Sequence, residues 1–223
     1  MPPSLKSPPT PFFFLVLFGV LMTVIFNYTL GMMASPYILL DLGGSTDIAS
    51  YPVTFFALGN ALGVPLGRNL MFRIGPARML VGVLGLFAFF SFLSGEATTF
   101  PFFNAARFLQ GFVSGPFYAL FFYFLSCLQP QEKKRLFTAF AVIIFTIFPV
   151  IGACWGGVVA YLGNWRWCYY IDMPITLFMM LYFYFRLKGF TEEKAPNPPL
   201  DIVGYLAFFI GVFTLGFVVI MGQ

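Results

Sequence analysis

Apolar residues run along this chain in long unbroken blocks, set apart by short polar breaks, and do not alternate singly with polar ones. Seven blocks stand out, at about residues 12–34, 50–68, 79–95, 101–127, 136–162, 168–186 and 200–221. Each is close to the roughly 20 residues that an α-helix needs to cross the hydrocarbon of a bilayer. A strand buried on one face would show a period of two, and lipid offers the backbone no hydrogen-bond partner outside the segment. Continuous blocks therefore predict helices and not a barrel. The expected fold class is an all-α membrane protein of seven spans. The third block is the weakest, because Gly82, Gly85 and Ser91 dilute it.

Composition agrees with a bilayer as the solvent. Hydrophobic residues make up 60% of the 223 and charged residues only 9%, with 33 Phe and 11 Tyr spread throughout. A soluble domain could not cover itself with so few polar groups. There is no histidine, which removes the usual general base and metal ligand. Cys127, Cys154 and Cys168 are odd in number and spaced like no zinc site, so they read as small core residues. No metal or cofactor is expected, and no enzyme, because paired membrane carboxylates and a nucleophile–base spacing are also missing.

The cations set a topology, since Lys and Arg in short loops stay on the cytoplasmic side. Lys6 precedes the first block, Arg68, Arg73 and Arg78 follow the second, Lys133, Lys134 and Arg135 follow the fourth, and Arg186, Lys188 and Lys194 follow the sixth. Ten of the twelve thus share one side, which places the N-terminus in the cytoplasm. The net charge of +4 needs no nucleic-acid partner to explain it. Residues 1–11 read as a cytoplasmic tail, 12–187 as a six-helix bundle and 188–199 as a Pro-rich linker. Residues 200–223 read as a seventh helix, with a C-terminal transporter half as the missing partner.

Polar groups inside the blocks are costly in hydrocarbon and count as functional candidates. Arg107, Gln110 and Ser114 share a helix face at i, i+3 and i+7 and are expected to line a polar cavity. Arg107 also has two structural alternatives: snorkelling to an interface, or bonding the carbonyls of neighbouring helices. Thr23 and Asn27 lie one turn apart in the first block, facing either substrate or another helix. Asp172, just after the Trp165–Arg166–Trp167 cluster, is expected near the outer surface, pairing with Arg166 or capping its helix, and is the remaining proton-binding candidate. Gly59, Gly63 and Gly67 in the second block, and Gly111 and Gly115 in the fourth, form stripes suited to close helix packing. Pro149, Gly152, Gly156 and Gly157 mark a helix able to bend.

Three stretches carry a resemblance: VTFFALGNALGVPLGRNLMFRIGPARML, ARFLQGFVSGP and FPVIGACWGGVVAYLGNWRWCYYIDMPI. In this order they are similar to the fourteen-span EmrB/QacA-type drug/proton antiporters of the major facilitator transporters, and PPLDIVG resembles the entry to that group's extra central helix pair. The resemblance implies a gating loop at Arg68, Arg73, Gly75 and Arg78. It implies proton coupling through Arg107 and Gln110, and bending at the fifth-span glycines. The chain departs from the pattern in having Phe72 where an acid precedes the loop arginine, and Ala153 where a proline follows Gly152. Met22 stands where the first span carries aspartate, and Asp172 where asparagine is usual. Asp172 is then the only acid expected at membrane depth.

The implied activity is proton-driven efflux of amphipathic small molecules by the N-terminal half of a secondary transporter in a bacterial inner membrane. Export of an endogenous metabolite such as a siderophore, or a non-transporting truncated fragment, are the alternatives.

Overall fold

A computed structural model describes residues 11–126, 131–188 and 201–221. The expected linker 188–199 lies, but for Lys188, outside the described residues, as do Cys127, Lys6 and Lys194. Nine α-helices are described: α1 Pro11–Leu42, α2 Tyr51–Ile74, α3 Pro76–Gly95, α4 Phe100–Ser114, α5 Pro116–Ser126, α6 Gln131–Leu162, α7 Trp167–Tyr170, α8 Asp172–Leu187 and α9 Ile202–Met221.

Four of the nine are parts of two expected spans, α4 with α5 and α7 with α8, and proline accounts for each division. Pro116 has no N–H to offer the Phe112 carbonyl and Pro174 none for Tyr170, so one rung of the helix ladder is missing at each place. The backbone path is not broken. Gly115 keeps helical angles (φ −52, ψ −48), as does Ile171 (φ −65, ψ −35). The fourth and sixth spans therefore run on as α4–α5 and α7–α8.

The apolar blocks misplace some boundaries. The first helix continues two turns past residue 34 to Leu42, through Pro36, and ends at Gly43, whose φ is +75. The weak span is not the third. Pro76–Gly95 is among five helices long and apolar enough to cross a membrane, with Phe12–Leu42, Phe100–Ser126, Lys134–Leu162 and Trp167–Leu187. The diluted helix is α2, 24 residues long but interrupted by Gly59, Asn60, Gly63, Gly67 and Asn69. Those residues face protein, which decides their type more than lipid does.

Pairing follows an internal two-fold pattern. The strongest helix pairs are α2 with α4, α1 with α6, and α3 with α8. If the first three spans are exchanged for the second three, α1–α6 becomes α4–α2 and α3–α8 maps onto itself, as expected of nested structural repeats. The glycine stripes make the first two pairs close. A Cβ on Gly63 would collide with the Phe112 carbonyl, the one that Pro116 leaves free, and a Cβ on Gly115 would collide with the Gly63 backbone. On α6, Gly152 lies against Phe26 and Thr29, and Gly156 against Leu30, both on α1. Gly157 meets nothing within 4 Å.

Two apolar clusters fill the bundle. One gathers Phe13–Ile25 of α1 with the first half of α3, α5 and Phe183. The other gathers Leu30–Leu39 of α1 with Phe100, Phe103, Trp165 and Tyr169. Asn27 sits on α1 in the gap between them. Helix α9 lies against α2, where the Tyr205 hydroxyl donates to the Pro65 carbonyl at 3.0 Å and accepts from the Asn69 amide.

The expected gating loop contracts to the single residue Gly75, between exposed Arg73 and exposed Arg78, with Arg68 exposed on α2. Gly75 has φ +89 and ψ 145, a backbone region essentially confined to glycine. Gly75→Ala should cost about 1–3 kcal/mol in strain and lower the thermal unfolding midpoint in detergent. An unchanged midpoint would show that the turn accepts a Cβ.

Candidate functional site

The polar residues between the two apolar clusters form one layer. Helix α4 brings Asn104, Arg107 and Gln110 onto a single face because they lie three residues apart. Arg107 and Gln110 are wholly buried, and so is Asn27 opposite them. Arg107 Nη1 donates to Asn27 Oδ1 at 2.9 Å and to Gln110 Oε1 at 2.6 Å, while Nη2 donates to the Asn27 carbonyl at 3.1 Å. Gln110 Nε2 closes the ring, donating to Asn27 Oδ1 at 3.2 Å. With two donors on it, the orientation of the Asn27 amide is set.

The guanidinium also lies 4.3 Å from the Phe56 ring centre and 5.4 Å from that of Tyr169. Both rings offer their negative faces to the cation. Space for this comes from Gly31, where a Cβ would press on Nη2. Of the two structural alternatives for Arg107, snorkelling fails because no part of the side chain reaches an interface. It binds a neighbouring backbone carbonyl, but side chains supply more of its contacts.

Asp172 overturns its expected place. It is 4% exposed and packs among helices, not at a surface. Arg166 is instead paired with Asp41, stacked on Trp165 at 4.5 Å and bonded to the Ala97 carbonyl. Trp165 also donates to Asp41 at 3.1 Å. The two ends of the Asp172 reading went wrong for one reason: Arg166 and Asp172 are six residues apart on a helical path, too far round and along to meet while Asp41 stands beside the arginine.

The partners of Asp172 are Ser91 of α3, whose Oγ is 3.1 Å from Oδ2, and Asn27, which acts on the carboxyl from α1. The same Ser91 Oγ is 3.1 Å from the Tyr169 carbonyl oxygen. Arg107 and Asp172 interact electrostatically, with no ion pair within 4.0 Å between them among the described residues. Among the described residues, Asn104 Oδ1, Arg107 Nε and Tyr169 Oη are buried with no hydrogen-bond partner from the protein.

The remaining expected residues lie elsewhere. Ser114 accepts from Asn60 Nδ2 at 2.7 Å in the α2–α4 contact and donates to the Gly111 carbonyl at 2.6 Å. It shares the face of Arg107 but serves helix packing. Thr23 donates to the Gly19 carbonyl at 2.7 Å and packs beside Met179 of α8. Pro149, Gly152, Gly156 and Gly157 lie within α6, which runs unbroken through them. Sequence reasoning missed Phe56, Ser91, Asn104 and Tyr169. Asn104 was visible as the next position on the Arg107 face; the other three had no signal, because rings and a serine are common in membrane helices.

Comparisons with known proteins agree with this architecture. The chain is 29% identical over 191 residues to the fatty acid resistance protein FarB of Neisseria gonorrhoeae, covering 86% of this chain and 38% of that protein. It is 29% identical over 199 residues to the multidrug export protein EmrB of Haemophilus influenzae, covering 89% and 39%. The chain thus spans about two fifths of the length of these relatives. Among solved structures, the fold matches a peptide transporter POT, crystallised as an E310Q mutant with sulfate, at a TM-score of 0.65 and 16% identity, covering 97% of this chain and 47% of that one. A D-xylose–proton symporter matches at 0.54 and 16%, covering 96% and 55%. The family model described as Major Facilitator Superfamily matches residues 16–222, and the chain belongs to that family of multi-pass membrane transporters.

Proposed function

We propose that this chain forms the N-terminal half of a secondary transporter that exports amphipathic small molecules in exchange for protons. It is placed in a bacterial inner membrane with its N-terminus cytoplasmic. The observation that carries the reading is the buried Arg107–Asn27–Gln110 ring beside Asp172. A cation and an acid held at membrane depth are expensive, and such groups in transporters mark ion pathways. The names of the relatives point the same way, toward multidrug export and fatty acid resistance. Arg68, Arg73, Gly75 and Arg78 form the gate at the basic end, and the bundle rocks against a second half about a midplane site.

The test is substrate accumulation in cells with and without the complete reading frame, repeated with the proton gradient collapsed. Lower accumulation that depends on both the frame and the gradient is expected. No difference for a broad panel of amphipaths would end the efflux reading.

Cargo class has a second reading. Met22 stands where a first-span carboxylate would attract a cationic drug, and Arg107 is the buried charge of fixed sign. This favours an anionic or neutral cargo, such as an exported metabolite. Matched cationic and anionic amphipaths in the same assay separate the two.

A further inference from the structure

At the basic end of the bundle, exposed cations stand where the outward apolar faces of neighbouring helices run out. On α2, Leu70, Arg73 and Ile74 lie at i, i+3 and i+4 and are all exposed. On α3, Arg78 begins a face that continues through Gly82, Leu86 and Phe89, each exposed. On α8, Leu181, Phe185 and the capping residue Lys188 follow one another at i, i+4 and i+7, with exposed Arg186 beside them. These ends adjoin. Gly75 alone separates α2 from α3, and α3 is paired with α8. Ala77 and Leu80 of α3 are buried in the same cluster as Phe183 and Leu187 of α8. Arg73, Arg78, Arg186 and Lys188 therefore share one patch.

Among the described residues, no acid lies within 4.0 Å of these four cations; the ion pair that is formed, Arg166 with Asp41, is at the opposite end. The described acid at the basic end is Asp201, whose Oδ1 accepts from the Gly204 N–H at 2.8 Å where α9 begins. Next to Arg73, Phe72 packs half-buried against the first apolar cluster and brings no charge. Glu132, Glu192 and Glu193 lie outside the described residues. Like charges gathered at the edge of hydrocarbon repel one another, and an anion set between them offsets that repulsion. Arginine suits a phosphate in particular, because its planar fork can donate two parallel hydrogen bonds to it.

We propose that this patch binds the phosphate of an anionic phospholipid. A lipid fits better than a free anion because the cations sit on the same helix faces as exposed apolar side chains. A headgroup held by Arg73, Arg78, Arg186 and Lys188 lays its acyl chains along Leu86 and Phe89 of α3 and Leu181 and Phe185 of α8. Gly82, one turn from Arg78, leaves room for a chain to pass close to the helix, since nothing lies within 4 Å of a Cβ placed there. A soluble phosphate would gain the charge contacts and none of the apolar ones. Once bound, the phosphate ties α2, α3 and α8 together across the Gly75 turn. The site is separate from the buried layer around Arg107 and holds whatever the cargo.

Native mass spectrometry of the complete protein, released from detergent holding equal amounts of phosphatidylglycerol and phosphatidylcholine, tests this with no transport step. Phosphatidylglycerol should be retained in preference. Each cation near an anionic headgroup adds about fivefold in binding, so Arg73→Gln combined with Arg78→Gln should cut the preference by roughly tenfold or more. Arg73→Lys with Arg78→Lys keeps the charge and should keep most of the preference. Lys134→Gln with Arg135→Gln removes the same charge from α6, which packs chiefly on α1, and should leave the preference unchanged. Added glycerol phosphate should not displace the lipid. Should the Arg73 and Arg78 glutamine pair fail to fold, Arg186→Gln with Lys188→Gln tests the same patch from α8. Equal retention of the two lipids by the wild type, a preference that survives the glutamine pairs in the patch, one lost equally from the α6 pair, or displacement by glycerol phosphate would each overturn the proposal.

Discussion

Gly63→Val is expected to prevent the bundle from assembling. The side chain would have to occupy the place of the Phe112 carbonyl, with the Cα of Gly115 close behind it. Overpacking a core costs about 1–3 kcal/mol where side chains can yield. Here both obstructing atoms belong to backbone, so the helices themselves must part. Separating α2 from α4 would also break the Asn60–Ser114 bond and lift Phe56 from the face of Arg107. Gly82 supplies the control, because nothing lies within 4 Å of a Cβ placed there. Gly82→Ala should instead gain up to about 1 kcal/mol from helix propensity. Fluorescence-detected size-exclusion chromatography reads both: a lost monodisperse peak for Gly63→Val and a retained one for Gly82→Ala. Two identical profiles would show that the α2–α4 contact is not the tight element that its backbone geometry indicates.

Arg107→Leu should be the most damaging single substitution in the polar layer, for folding and for transport together. It removes three hydrogen bonds and two ring contacts at once. Hydrogen bonds between membrane helices average about 0.6 kcal/mol, and a cation–ring contact is worth from roughly 0.5 kcal/mol when exposed to about 2 kcal/mol when desolvated, so the loss is about 3–6 kcal/mol in all. Leucine also leaves Gln110 Oε1 without a donor. Arg107→Lys should recover only part, since an ammonium lacks the planar fork that reaches Asn27 and Gln110 while stacking between rings. Thermal stability in detergent should rank wild type above Lys above Leu. Substrate-driven proton flux in the complete protein should be absent from the leucine variant. Proton movement that persists in it would remove Arg107 from the mechanism.

Much of the molecule was legible because lipid constrains sequence more strictly than water does. A spanning segment must satisfy its own backbone and present apolar side chains, and that demand appears as block length. Where a helix faces other helices the demand relaxes, and legibility falls with it. Hydropathy understated α2 because its glycines and asparagines answer to α4 and α9. It also ended α1 two turns early, because a proline within a helix loses one rung without ending it. Helical spacing placed Arg107 and Gln110 together. It placed Ser114 with them too, although this serine bonds to Asn60 on a different neighbour.

The glycine stripes show the limit of reading along one helix. Periodicity marked Gly59, Gly63 and Gly67 on one span and Gly111 and Gly115 on another as contact surfaces. Nothing in either stripe says that the two fit each other, since small residues carry no side-chain identity for a partner to match. The polar layer repeats the lesson. Asn27, Ser91, Arg107 and Asp172 come from four spans, and their meeting depends on the rotation of each helix about its own axis, which packing decides.

The residues by themselves determined the helical membrane class and the family. Both rest on local or statistical properties of the chain. The tertiary structure alone decided that Asp172 turns inward to Ser91 while Arg166 goes to Asp41, and that Arg107 is met by an amide and two rings in place of an acid. Those outcomes depend on distances between residues far apart in sequence, set by which helix faces fit closely enough to exclude lipid.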